Sequence, residues 1–206
     1  TNLSTGNMFF FVAGENKDSE LGEWKLGQKP AGNLRISKAV AASSAFPPVF
    51  PPLRIDQDEF DTGEVEYVTL TDGGVYDNLG VNPSLRKRNG LDYIIVSDAG
   101  KPFDIDEQPT EKGTIVLKES IGILMEQVRG LQFKRLELCN QAQNGPKPLW
   151  FSIDSDKGQS QVGDAIFASS IKTNLKKLSD PELDVLSRHA GALLEHRIKT
   201  YAPELI

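Results

Sequence analysis

The stretch "TLTDGGVYDNLG", residues 69–80, sets a carboxylate directly behind a run that is typical of a β-strand. Asp72 lies two residues beyond Leu70, and Gly73 and Gly74 follow it at once. In open α/β sheets, functional groups collect where strands end, because the loops there diverge and expose the last side chains. Glycines can take positive φ angles and carry no Cβ, so a sharp turn can leave space beside the carboxylate. Asp72 is therefore a candidate functional residue, with a turn-capping aspartate as the alternative.

A second aspartate has the same local setting. "SDAG" (97–100) ends another predicted strand, and Asp98 also has a glycine two residues later. The local pattern alone does not separate Asp98 from Asp72.

Outward from this stretch, apolar runs typical of strands alternate with helical patterns. Strands are predicted at residues 7–13, 53–55, 66–70, 91–100 and 149–153, and helices at residues 33–46, 82–90, 115–142 and from Ser179 to Pro203. The last helix opens with a capping box, Ser179-x-x-Glu182. Because two of the strands are apolar throughout, we expect an α/β fold with a largely parallel sheet flanked by helices, in a single domain over residues 1–206.

Four segments carry more specific expectations. Residues 14–33 are polar and glycine-rich, which predicts a surface connection. The proline-rich "PPVFPP" (47–52) predicts an extended corner with Val49 and Phe50 in the core. The helical patterns predict Asn33 as an N-cap and two apolar faces, one with Ile36 and Val40, the other with Leu117, Ile121, Leu124, Val128 and Leu131.

The amino-acid composition limits the functions that the protein can have. The 206 residues are 38% hydrophobic and 25% charged, an ordinary globular mixture. A net charge of −6 argues against broad nucleic-acid binding, because phosphates attract Lys and Arg. The longest apolar run, residues 8–13, is too short to span a bilayer. Cys139 is the only cysteine, which excludes an internal disulfide and fits a reducing, cytoplasmic compartment.

Other candidate groups have simpler interpretations. His189 and His196 are seven residues apart on the last helix, a spacing that favours packed or solvated histidines over a metal site. The acidic stretches at 56–63 and 154–158 do not follow the calcium-loop order of ligands. The basic residues Arg86, Lys87, Arg88, Arg129, Lys134 and Arg135 could face anionic headgroups or form an ordinary exposed surface. Ser43, Ser44 and Ser97 are interpreted as structural.

Three pieces of the sequence resemble the patatin-like phospholipase family. They are the alanine-serine helix and proline corner "AVAASSAFPPVFPPLRI" (39–55), the "LTDGGVYDNLG" segment (70–80), and "TNLSTG" (1–6), which is similar to the family's approach to a middle strand. The likeness is most specific over residues 37–80. It implies a patatin-like α/β fold.

The resemblance implies that Asp72 is the aspartate of a Ser–Asp dyad in a lipid acyl hydrolase. A serine in a G-x-S-x-G turn would attack an ester carbonyl, and Asp72 would accept its proton without an intervening histidine. Gly73 and Gly74 would shape the turn. The implied substrate is a phospholipid or other acyl ester, met by peripheral contact with a membrane, with no metal, no organic cofactor and no nucleic-acid partner.

The nucleophile is absent from this sequence. It contains no G-x-S-x-G, since no two of its 18 glycines lie four residues apart. We expect the serine in an N-terminal part of the same protein, ahead of Thr1, so that these residues form a patatin-like domain that is incomplete at its N-terminus and inactive alone. Two alternatives stay open: a non-catalytic interaction or lipid-binding module, and Thr1 as an N-terminal nucleophile.

Overall fold

The computed structural model describes residues 1–14, 17–100, 107–142, 145–172 and 176–206. The chain divides into two compact units, residues 1–82 with 110–134 (unit 1) and residues 83–109 with 135–206 (unit 2). Both contain strands and helices, which confirms the predicted α/β class. Two such units can belong to one domain or to two, so a single domain over residues 1–206 stays a prediction, as does incompleteness at the N-terminus.

Unit 1 contains two small antiparallel sheets. Strands β1 (Phe10–Gly14), β2 (Lys17–Glu23) and β3 (Gly27–Pro30) form one sheet. Strands β4 (Leu53–Asp56) and β5 (Tyr67–Leu70) form the other, and Asn2 adds an isolated bridge to the end of β5. The surface connection predicted for residues 14–33 is therefore wrong for β2 and β3.

The β2–β3 hairpin depends on a close backbone approach at Gly22. A Cβ at this position would lie 2.2 Å from the carbonyl oxygen of Gly27. Gly27 itself has a φ of +84°, the left-handed conformation that suits the end of a three-residue hairpin loop. Gly22 and Gly27, which suggested a loop, therefore belong to a paired hairpin.

The two sheets and helix α1 (Ile36–Ser43) share one hydrophobic core. Phe9 and Phe60 meet edge to face in it, with ring centroids 5.1 Å apart. The buried members are Phe9, Leu21, Ala42, Ile55, Phe60, Val68 and Leu70. Strand β1 is covered on one side only, since Val12 is 49% exposed.

Beside this core lies a buried carboxylate. Glu23 is fully buried and accepts hydrogen bonds from Asn2 Nδ2 (2.9 Å), Thr5 Oγ1 (2.6 Å) and Asn7 Nδ2 (3.3 Å). A buried charge is tolerated only when its polar atoms are satisfied. Glu23 thus joins the opening turn of the chain to strand β2.

Replacing this carboxylate should destabilise the protein. Glu23→Ala leaves three donors without their acceptor, and hydrogen bonds to charged groups are each worth about 1.5–3 kcal/mol. We expect the free energy of unfolding to fall by about 3 kcal/mol in urea titrations. Glu20, exposed on the same strand, is the matched control, and Glu20→Ala should change it by less than about 0.5 kcal/mol. Equal losses in the two variants would contradict the assigned network.

Helix α1 is shorter than predicted and buries a different face. Its N-cap is Arg35, not Asn33. Ile36 and Val40 are 83% and 58% exposed, whereas Ala42 is buried. A small side chain lets the helix approach the core closely, so Ala42, and not the larger Ile36 or Val40, is covered.

The proline-rich corner that follows also differs from the prediction. Residues 47–52 form neither helix nor strand, as expected. Val49 and Phe50 do not enter the core, being 58% and 41% exposed. They line an apolar cavity instead.

Unit 2 contains a parallel pair of strands, β6 (Tyr93–Asp98) and β7 (Lys147–Ser152). Only one face of β6 is covered, because Ile94 and Val96 are buried while Ile95 is 53% exposed. This pair is the one parallel pairing among the described strands. The largely parallel sheet therefore stays a prediction.

Helix α6 (Asp180–Tyr201) packs on β7, and its predicted capping box between Ser179 and Glu182 is confirmed. A short helix, α5 (Asp164–Ser170), was not predicted. Arg188 of α6 binds Asp164 through two nitrogens, at 2.6 and 3.1 Å. This ion pair lowers the pKa of the Asp164 carboxyl.

The long helix is confirmed as α4 (Gly113–Ala142), with residues in both units. Its predicted apolar stripe is largely exposed: Leu117, Leu124 and Leu131 are 53%, 65% and 66% exposed. Gln132 and Leu136 are its buried residues. In the described part of the chain, no helix combines the length and the hydropathy that crossing a membrane requires.

Candidate functional site

The segment 70–80 folds as a strand end, a tight turn and two short helices. Asp72 follows β5 by two residues and is half-buried. Helix α2 (Gly74–Asp77) begins directly after it, and helix α3 (Val81–Ser84) follows. Asp72 Oδ1 accepts a hydrogen bond from the backbone N–H of Gly74 at 2.7 Å. The turn-capping interaction is therefore present, and it holds one carboxylate oxygen in place.

The second oxygen of Asp72, Oδ2, has no hydrogen-bond partner within the residues that the structure describes. One oxygen thus fixes the orientation of the side chain while the other is available to an incoming donor. A carboxylate oxygen can accept more than one hydrogen bond, so a hydroxyl is a suitable partner.

The backbone on both sides of Asp72 is held by the residues that end helix α1. The carbonyl oxygen of Ala45 accepts two hydrogen bonds, from Thr71 Oγ1 at 2.9 Å and from the N–H of Asp72 at 3.0 Å. The N–H of Gly73 points to the carbonyl of Ser43 at 3.4 Å. These contacts fix the direction in which the chain leaves β5.

The two glycines have different roles, and neither takes the positive φ that was expected. Gly73 has a φ of −61°, in the right-handed helical region. A Cβ on Gly73 would meet only Ser43 Oγ, at 3.7 Å. A Cβ on Gly74 would lie 2.6 Å from Asn78 Oδ1, 2.8 Å from Met125 Cε and 2.9 Å from Asp72 Oδ1. Gly74 is therefore the position at which the turn requires the absence of a side chain.

An apolar cavity of about 630 Å³ lies beside this turn in unit 1. Thr71 and Val75, which flank the Asp72–Gly74 segment, form part of its lining. The proline corner supplies a second side and helix α4 a third, through the residues Pro47 to Pro52, Ile121, Leu124 and Met125, with Leu3 completing the lining. Its size falls in the range of small-molecule sites, about 300–1,000 Å³.

Asp98, the matched aspartate of unit 2, makes the same local contact. Its Oδ1 accepts a hydrogen bond from the N–H of Gly100 at 3.1 Å. Unlike Asp72, it is almost fully buried, with 2% of its surface exposed. The two aspartates therefore form the same kind of turn but differ in their exposure to solvent.

The histidines and the serines near α1 do not form a catalytic cluster. His189 is buried, and its Nε2 is 2.9 Å from the carbonyl oxygen of Ile153. His196 packs against Gly158, where a Cβ would come within 2.6 Å of it. Ser43 and Ser44 are exposed. No group of three or more His, Cys, Asp or Glu residues suited to a metal ion occurs in the described ranges.

Thr1 also contacts the turn. Its hydroxyl donates to the backbone carbonyl of Asp72 at 2.9 Å. This contact engages the group that the N-terminal nucleophile alternative requires.

Three residues of this region were not anticipated. Thr71 binds Ala45, and Met125 reaches the turn from a helix some fifty residues later. Asp77 is buried, and its Oδ2 accepts bonds from the N–H and the Nδ2 of Asn82, both at 2.8 Å. Asp77 is the last residue of α2 and Asn82 lies in α3, so this contact joins the two short helices. No local pattern marks Met125.

Comparison with known proteins supports the resemblance seen in the sequence. A family model described as Patatin-like phospholipase matches residues 6–85. This range contains α1, the proline corner, β4, β5 and the Asp72–Gly74 turn. The predicted resemblance to the patatin-like family, whose members are lipid acyl hydrolases, is thus confirmed over these residues. No curated protein and no solved structure matches the chain.

The two glycines can be separated by substitution. Gly74→Ala forces a methyl group into space already occupied by Asn78, Met125 and the Asp72 carboxylate. We expect the free energy of unfolding, measured by urea titration, to fall by about 1 kcal/mol or more. Gly73→Ala places its methyl in ordinary contact and restricts only the unfolded chain, so stability should stay level or rise by up to about 1 kcal/mol. A larger loss at Gly73 than at Gly74 would refute this assignment.

Proposed function

We propose that the protein is a lipid acyl hydrolase in which Asp72 is the general base of a Ser–Asp dyad. Its serine would come from an N-terminal part of the protein outside residues 1–206, since these residues contain no G-x-S-x-G. The observation that carries the proposal is the geometry of Asp72: one carboxylate oxygen held by Gly74, the other unbonded within the described residues, and an apolar cavity beside the turn.

The reaction follows ordinary acyl transfer. The serine oxygen bonds to the ester carbonyl carbon while its proton passes to Asp72. The carbonyl re-forms and the alcohol leaves, taking that proton. Water then attacks the acyl-enzyme and gives a proton to Asp72, which returns it to the serine as the fatty acid departs. No metal ion or organic cofactor takes part in this scheme.

The cavity supports a lipid rather than a polar ester as substrate. Its walls are mainly proline, aliphatic and methionine side chains, which stabilise an acyl chain by removing it from water. The exposed apolar residues Val49 and Phe50 stand at its proline side. They suit peripheral contact with a membrane, from which such a substrate would enter.

A lipid-binding module without turnover is the second candidate. It is favoured by the same absence of G-x-S-x-G, and it needs only the cavity. A G-x-S-x-G turn behind an apolar strand elsewhere in the protein would support the enzyme, and its absence would support the module.

The dyad role predicts a large loss of turnover in Asp72→Asn. The amide oxygen still accepts the hydrogen bond from Gly74, so the turn survives, but the side chain no longer accepts a proton at neutral pH. We expect kcat/KM for a chromogenic acyl ester to fall by at least about 100-fold in the full protein.

Asp98→Asn is the matched control, since it makes the same change at the same kind of turn. It should keep most of the activity. If Asp98→Asn abolished hydrolysis and Asp72→Asn did not, the base would be assigned to the wrong strand end.

Membrane contact through the proline corner can be tested by vesicle sedimentation. Phe50→Asp adds a charge that is costly to bring into a lipid interface, so the fraction bound to phosphatidylcholine vesicles should fall severalfold. Trp24, 86% exposed on the β2–β3 loop, provides the control. If Trp24→Asp lowered binding as much as Phe50→Asp did, the corner would not be the contact.

A further inference from the structure

The side chain of Met125 connects the cavity to the Asp72 turn. It lines the cavity from helix α4. Its Cε and the Asp72 Oδ1 both lie within about 3 Å of the point where a Cβ on Gly74 would be. The methyl group of Met125 and the Asp72 carboxylate therefore lie close together, packed on the same side of Gly74.

This position has a direct consequence for an ester substrate. If the carbonyl is attacked beside Asp72, the acyl chain attached to it starts near Met125 and continues into the cavity that Met125 lines. Met125 is then among the first side chains that the acyl chain meets. Methionine is unbranched and flexible, so it can adapt to chains of different length.

We propose that Met125 is a specificity-determining residue that selects the length of the substrate's acyl chain. This inference rests on the proposed ester hydrolysis at Asp72. Ile121 and Leu124 precede Met125 by four and one positions on α4 and also line the cavity, so the helix supplies a continuous apolar wall. The wall lies outside residues 6–85, the range of the family match.

The size of the effect follows from hydrophobic transfer. Each methylene that enters the cavity should raise kcat/KM about fourfold, which is the equivalent of about 0.8 kcal/mol. The increase should end at the chain length that fills the cavity. Met125 should contribute to that length, because its side chain forms part of the cavity wall.

The experiment measures kcat/KM of the full protein for p-nitrophenyl esters from acetate to palmitate. Met125→Trp should reduce kcat/KM for long-chain esters at least about tenfold relative to acetate, because the larger side chain fills part of the cavity. Met125→Ala should move the best substrate to a longer chain. Leu131→Ala is the control, because Leu131 lies on the same helix, is 66% exposed and does not line the cavity. It should leave the ratio of long to short esters within about twofold of the wild type.

An unchanged ratio in both Met125 variants, with Asp72→Asn inactive on every ester, would overturn the inference and leave the proposed function standing. A changed ratio with Asp72→Asn still active would overturn the proposed role of Asp72, on which the inference rests. Direct binding gives a readout that needs no turnover: calorimetry with saturated fatty acids should show affinity that rises with chain length and falls in Met125→Trp. Equal affinities in wild type and Met125→Trp, with both proteins folded by circular dichroism, would also overturn the inference.

Discussion

The carbonyl oxygen of Ala45 is the point on which the candidate site depends. It accepts hydrogen bonds from the hydroxyl of Thr71 and from the N–H of Asp72, at 2.9 and 3.0 Å. The chain end of α1 leaves carbonyls without intrahelical partners, and the exit of β5 supplies donors to that region. Each element thus satisfies polar groups that the other would leave buried and unbonded. The direction in which the chain leaves β5 follows from this exchange, because Thr71 is held through its hydroxyl and Asp72 through its backbone N–H.

With the backbone fixed, the packing of side chains beside the carboxylate depends on Gly74. Three side-chain atoms surround the point where its Cβ would stand, and two of them belong to residues far apart in the chain, Asp72 and Met125. This is a packing requirement and not a conformational one, since neither Gly73 nor Gly74 has a positive φ. The same glycine therefore serves both the polar part of the candidate site and its apolar part.

The sequence predicted those parts of the fold that local pattern controls. The prediction identified the capping box of α6, the extent of α4 and the strands β4 to β7. Caps, helical periodicity and apolar runs depend on residues that are close together in the sequence, so they can be recognised there. The β2–β3 hairpin was not predicted, because one of its buried side chains is the carboxylate of Glu23. This carboxylate can be buried only because residues 2, 5 and 7 donate hydrogen bonds to it. The predictions of which faces of α1 and α4 are buried were wrong for a related reason. Apolar periodicity identifies a helix but does not state which side its neighbours cover.

The candidate site shows more clearly that local sequence does not determine the surroundings of a residue. Asp72 and Asp98 could not be separated by local sequence, and the structure explains why: each accepts a hydrogen bond from the N–H of the residue two positions later. What differs is the surroundings. Asp98 is almost wholly buried, so a hydroxyl from another part of the protein would have to displace its neighbours to reach it. Asp72 is half-buried, and its Oδ2 has no hydrogen-bond partner within the described residues. A general base must be shielded from bulk water yet within reach of its proton donor. Of the two aspartates, only Asp72 combines partial burial with partial exposure, as the proposed role requires.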